Sequence, residues 1–202
     1  MTARGENAPV KEAPVKTTDE KKAKKLSFAK NISFAALFAA LCCVSTLFIS
    51  VPLPASGYFN TGDIFVLLAG WFLGPLYGGA AAGVGSMLAD IISGYAVYAP
   101  ATFFVKALDA VAAYLVCRLL KNLIKSDKLD ILPRAISALA GEALMVLGYF
   151  FYEGVVLGMG MGAAANIIGN TLQGVCCLLC ACILIGVLYP AKPLRGFFPK
   201  LH

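Results

Sequence analysis

Six ionisable side chains, Asp63, Asp90, Lys106, Asp109, Glu142 and Glu153, stand in sequence that is otherwise almost free of charge. No Lys or Arg occurs from 31 to 105 or from 135 to 191, and Lys106 is isolated between these stretches. A charged group in apolar surroundings is costly unless it is paired, so each of the six is a candidate functional group. Asn166 and Asn170, four residues apart, share one helix face, with Gln173 close to it, and Tyr149 lies one turn before Glu153. Tyr58, Phe59, Tyr95 and Tyr98 supply rings that can stack on a flat heterocycle. Carboxylates, amides and tyrosines in this number suit recognition of a polar ring compound. The single histidine is His202, so neither a Ser–His dyad nor a His-ligated zinc protease can form. Ser86, in Gly83-Val-Gly-Ser86, has no base to activate it. There is no GxxxxGK[ST] loop, so the chain does not bind ATP that way. Seven cysteines include Cys177 and Cys180 in a CxxC. Without a second ligand pair these read as small apolar residues of a span rather than a metal or redox site.

The elements that must position these groups are membrane helices. Of 202 residues, 59% are hydrophobic and only 14% charged, with mean hydropathy +0.79. A water-soluble domain has about a quarter of its residues charged; here lipid must be the solvent. Apart from Lys106, the basic residues gather in three places. They lie between Arg4 and Lys30, in the middle (Arg118, Lys121, Lys125, Lys128, Arg134), and at the end (Lys192, Arg195, Lys200). Basic flanks stay cytoplasmic, so both ends and the middle loop are expected inside. An even number of crossings then separates each pair. The net charge of +6 reads as orientation and contact with anionic lipid. No nucleic-acid partner is expected, since the charges are spread over three loops without interleaved aromatics.

The fold class expected is an all-α integral membrane protein, a bundle of about six transmembrane helices. Residues 1–28 are expected to form a disordered cytoplasmic tail, residues 29–191 the six-helix domain and residues 192–202 a short tail. A cleaved signal peptide is not expected, because the charged region is too long and the apolar run after it is long enough to span. Helix 1 is placed at Ile32–Val51, ended by Pro52 and Pro54; helix 2 at Gly62–Leu73, stopped by Gly74-Pro75. Helix 2 is short for a span. Helix 3 runs Leu76–Ile92 and is crowded with Gly, Ala and Ser, which allows close approach. Helix 4 runs Pro100–Leu120, helix 5 from Pro133 to Glu153, and helix 6 follows the glycine-rich turn Gly154–Gly162 and ends near Tyr189. On this plan Asp63, Asp90 and Glu153 sit at the outer side. Lys106 lies about 9 Å below the outer end of helix 4. Glu142 alone is near mid-depth. The polar groups thus gather in the outer half, as a pocket open to the outside would require.

Each group also has a plainer reading. Asp63 suits a helix cap, Lys106 and Asp109 an ion pair at i, i+3, and Asn166 and Asn170 glue between helices. Tyr95 and Tyr98 suit an interfacial aromatic belt, and Glu153 a place in water.

The ordered set Gly57-Tyr58-Phe59-Asn60-Thr61-Gly62-Asp63, Gly74-Pro75, Gly85-Ser-Met-Leu-Ala-Asp90, Ser93-Gly-Tyr95 and Tyr98-Ala-Pro100, with Thr102 and Lys106 beyond, resembles a known family. It is similar to the substrate-binding S components of energy-coupling factor (ECF) vitamin transporters, nearest the riboflavin-type branch, over about residues 30 to 190. The resemblance implies a six-helix binding subunit in the bacterial cell membrane, with no catalytic residues and no cofactor of its own. It implies a membrane T component and two ATPase subunits as partners, the ATP being bound by them. The first choice of cargo is riboflavin, with hydroxymethylpyrimidine, thiamine or pyridoxine as others. The resemblance places the pocket on the first outer loop and helices 4 to 6, which adds Asn60 and Thr102 to the polar set above. It implies a docking face with small residues four apart on helix 1: Ala35 and Ala39, or Ala36 and Ala40 in a second register. The plain alternative for these alanines is packing within the chain. Two other functions compete with this one. A stand-alone secondary transporter would favour inverted repeats and a midplane ion site, and no repeat is evident. A membrane enzyme acting on lipid would place acidic or His groups at the cytoplasmic face, which is only basic.

Overall fold

In the computed structural model the described residues are 18–53, 57–124 and 131–188. The order is α1 (Thr18–Phe48), β1 (Ser50–Pro52), β2 (Tyr58–Asn60), α2 (Asp63–Ile92), α3 (Ala99–Ile124) and α4 (Ile131–Phe151). A π-helical turn (Tyr152–Val156), a 3₁₀ turn (Gly160–Asn166) and α5 (Ile167–Leu188) complete it. Four of the helical stretches, Leu26–Phe48, Asp63–Ile92, Ile131–Val156 and Gly160–Leu188, are long and apolar enough to cross a membrane. The remaining helix, α3, carries Lys106 and Asp109 in its length.

The solvent preference of the bundle is inverted. Leu76, Phe104, Leu147, Ile168 and Ile183 are exposed on its outside, while Asn60, Asp63, Lys106, Asp109, Glu142 and Gln173 are buried within. Water would reverse that sorting; hydrocarbon favours it. The apolar core gathers at the basic end around Trp71, Phe72, Leu67 and Ile185.

The helix α2 is broken at Gly74, whose φ of 77° and ψ of −172° are not helical, and Pro75 follows. A Cβ on Gly78 would meet the Ala69 carbonyl and the Gly70 backbone. In a straight helix residues nine apart lie about 13 Å from one another, so the chain doubles back at Gly74. This accounts for the short helix 2 of the sequence: Val66 to Leu73 are all buried, flanked by other helices rather than lipid. Its return arm uses small residues for close approach. Gly79 and Gly83 lie against Ala107 and Phe103 of α3, and Gly85 against Ala39 of α1.

Several boundaries differ from expectation. The helix α1 starts at Thr18, inside the stretch read as a disordered tail, and ends at Phe48. The outer loop after it is an antiparallel hairpin, with Val51 opposite Phe59. The expected tail residues 1–17 and 192–202 and the middle basic residues Lys125 and Lys128 lie outside the described residues. Arg134, read as part of a basic loop, is buried, with its guanidinium 5.6 Å from the Trp71 ring. Trp71 donates to Ser137 at 3.2 Å. On α1, Ala35 and Ala39 pack against the core, whereas Ala36 and Ala40 are exposed.

The doubled-back contact gives a test. Gly78→Val, forced against backbone, should cost about 1–3 kcal/mol by overpacking. Gly186→Ala, with nothing within 4 Å of the new Cβ, should leave the melting temperature of the purified protein nearly unchanged. Equal melting of the two variants would refute the close approach.

Candidate functional site

The site lies at the hairpin end of the bundle, between β2, α2, α3, α4, the π-helical turn and α5. Its base is an ion pair. Lys106 of α3 bonds Asp63 of α2, and the two side chains are 3% and 0% exposed. The Lys106 ammonium also contacts the Met145 sulfur at 2.8 Å and stands 5.5 Å from the centre of the Tyr149 ring. The second carboxylate oxygen of Asp63 accepts from Gln173 Nε2 at 2.5 Å. Gln173 Oε1 in turn accepts from the Asn60 backbone N–H at 2.8 Å. Asn60 Oδ1 accepts from the Gly62 N–H at 2.9 Å, which turns the chain from β2 into α2. Thus a run of polar groups ties the hairpin to α2, α3 and α5.

Above this base, Leu53, Gly57, Tyr58, Asn60, Asp90, Tyr98, Thr102, Tyr149, Glu153, Asn170 and Gln173 line one pocket. Its free volume is about 30 Å³, room for about two waters. Tyr58 donates to Asp90 Oδ1 at 2.5 Å. Burial, with the Asp90 carboxylate beside it, raises the Tyr58 phenol above its ordinary value, so the proton stays on Tyr58. Tyr98 and Asn166 both donate to Glu153 Oε1, at 3.1 and 3.0 Å. The Thr102 and Tyr149 hydroxyls bond each other at 3.0 Å, next to Asp90. The rings of Tyr58 and Tyr95 are 4.8 Å apart, and Tyr98 packs on Tyr95, Tyr149 and Tyr152. Gly57, at φ +73°, brings the hairpin within contact of Tyr98 and Glu153.

The sequence-derived residues therefore fall into two groups. Tyr58, Asn60, Asp90, Tyr98, Thr102, Tyr149, Glu153 and Asn170 line the pocket itself. Tyr95, Lys106 and Asn166 stand behind it, as a ring partner, an ion-pair partner and a support for Glu153. Three plainer readings do not survive. Asp63 is no surface cap; it is completely buried against Lys106, because β2 and the Gly62 turn carry the chain inward before α2 begins. Lys106 is bonded to Asp63 and not to Asp109, whose carboxylate oxygens have no partner. Glu153 is 2% exposed, enclosed by Tyr98 and Asn166 rather than water. Gln173 and Asp63 stand out in the sequence as polar groups but were not assigned to the binding site. Asp63 reads equally as a helix cap and Gln173 only as a neighbour of the Asn166–Asn170 face, so neither pointed to the base of the pocket. Of the CxxC, Cys177 is buried, with its thiol 3.6 Å from the Asn60 carbonyl, and Cys180 is exposed.

Two further acids sit below the ion pair. Asp109 abuts Gly141 of α4, and Glu142 abuts Gly174 of α5; no carboxylate oxygen of either is bonded. Glu142 faces an apolar recess between α4 and α5. An unpartnered buried polar group costs about 1–3 kcal/mol, so Glu142→Met, similar in size, should raise the melting temperature of the purified protein. A fall would show that Glu142 holds a stabilising contact.

A lipid-sorted helical exterior around an enclosed polar pocket defines a membrane-embedded binding protein. The chain belongs to the family of ECF-type riboflavin transporter S components, whose model matches residues 27–190. It is a membrane transport component, and S components are not enzymes. A solved structure described as the S component of a bacterial ECF transporter superposes with a TM-score of 0.61, over 81% of this chain and 97% of that one. At 22% identity this likeness concerns the fold. A protein of Pyrococcus woesei, described only as an uncharacterised protein in a gap 3′ region, is 37% identical over 133 residues. The match spans 65% of this chain and 83% of that protein.

Proposed function

We propose that the chain captures riboflavin from outside the cell for uptake driven by partner subunits. The observation that carries this reading is the riboflavin-type family match over residues 27–190. The pocket agrees with it in chemistry, with tyrosine rings beside the amide of Asn170 and the hydroxyls of Thr102 and Tyr149, and must widen to admit a vitamin. A flat ring system replaces the ring-on-ring contacts among the tyrosines, and a hydroxylated chain bonds the amide and hydroxyl groups. Hydroxymethylpyrimidine, thiamine and pyridoxine are the other cargoes that this chemistry accommodates. The same reading counts the two arms of α2 as separate crossings, giving six, with both termini in the cytoplasm of a bacterial cell and the hairpin end outside. It assigns ATP hydrolysis to two ATPase subunits joined through a membrane T component. Docking is assigned to the exposed Ala36 and Ala40 face of α1, since Ala35 and Ala39 are engaged within the chain.

The test is thermal unfolding of the purified protein against a panel of water-soluble vitamins. A ligand that binds only the folded state, at 100 times its dissociation constant, adds about 2.7 kcal/mol. Riboflavin alone should raise the melting temperature, and Asn170→Ala should reduce that shift. A shift by another vitamin instead would reassign the cargo, and none by any would refute the reading.

A further inference from the structure

Two carboxylate oxygens in the pocket have no hydrogen-bond partner: Oε2 of Glu153 and Oδ2 of Asp90. The residues are 2% and 4% exposed, and both line the pocket. Their other oxygens are bonded, Glu153 Oε1 by Tyr98 and Asn166, Asp90 Oδ1 by Tyr58, and the Thr102 hydroxyl lies beside the Asp90 carboxylate. The bonded oxygens fix the carboxylates, and the other two are enclosed at the pocket wall without a partner of their own.

No Lys or Arg lines the pocket among the described residues. Residues 54–56, outside the described residues, are Pro-Ala-Ser and carry no charge. The cation nearest at hand, Lys106, is bonded to Asp63 and the Met145 sulfur. The site therefore offers acceptors and negative charge, with no cation free to receive an anion. In a buried site such charge is poorly screened.

We propose that the pocket selects its cargo by charge: it takes neutral or cationic molecules rich in O–H or N–H donors and rejects anions, phosphate esters included. Glu153 and Asp90 are its specificity-determining residues. A donor-bearing cargo satisfies the two bare oxygens, whereas a phosphate or carboxylate is repelled by them, discrimination through an unfavourable contact rather than a better fit. This rests on the vitamin-binding reading above and narrows it, because it separates each vitamin from its own phosphate.

The experiment pairs riboflavin, thiamine and pyridoxine with their phosphate esters, each titrated against the purified full-length protein by thermal shift. The flavins are also followed by fluorescence quenching. The parent of one pair should bind, with its phosphate weaker by about 100-fold, a gap of the size a built polar site can impose. Glu153→Gln and Asp90→Asn keep shape and an acceptor while removing charge, so each should narrow that gap to about 10-fold. Their melting temperatures without ligand check that they fold. A phosphate ester that binds as tightly as its parent, or a gap unchanged in both folded variants, overturns the charge rule and leaves the vitamin reading standing. Selective binding of thiamine or pyridoxine over its phosphate upholds the charge rule and refutes riboflavin as cargo. No binding by any of the six compounds or by hydroxymethylpyrimidine overturns both.

Discussion

The ion pair between Lys106 and Asp63 is the constraint on which the rest of the site depends. A lone ammonium or carboxylate inside hydrocarbon is expensive, and each of these two is the direct partner that compensates the other. A buried pair gains stability only when its remaining bonding capacity is also met. Here Gln173 fills the second oxygen of Asp63, and Met145 takes a further ammonium contact of Lys106. The pair thereby fixes the heights of α2, α3, α4 and α5 against each other, which shape complementarity among small residues alone would leave free to slide.

From that base the pocket is built upward by chain geometry. Gln173 holds Asn60, Asn60 turns the chain at Gly62, and the hairpin rises to Tyr58, whose hydroxyl bonds Asp90 on the far arm of α2. The break at Gly74 matters at this distance, because it returns α2 toward the hairpin end and so places Asp63 and Asp90 in one site. The π-helical turn ends α4 with Glu153 directed inward, where Asn166 and Tyr98 hold it. Charges that would be a burden in a packed core become, in a pocket, the means of choosing a ligand.

Much of this was legible in the chain. The absence of Lys and Arg over long stretches, the small residues of the α2 return arm and the Gly74-Pro75 break are local signals, and the structure follows them. Most pocket residues were recognisable because a polar group in an apolar run stands out. What could not be read were the partners. Lys106 has Asp109 three residues away but bonds Asp63, and Tyr58 finds Asp90 across 32 positions. Those choices depend on how far β2 descends before α2 begins, which no local pattern encodes. The two alanine registers of α1 were equally undecided. Adjacent positions differ by about 100° around a helix, and only packing against Gly85 shows that Ala39 faces inward.

The most direct test of the central claim is a double-mutant cycle on the ion pair, read as melting temperature and riboflavin affinity of the purified protein. Asp63→Leu and Lys106→Met should each destabilise strongly by leaving the other charge bare. The double variant should regain most of that loss, with a coupling of about 2 kcal/mol or more. Riboflavin affinity should remain low in the double variant, because Gln173 has lost the acceptor that orients it beneath the pocket. Additive losses in stability, or undiminished riboflavin binding by the double variant, would contradict the account.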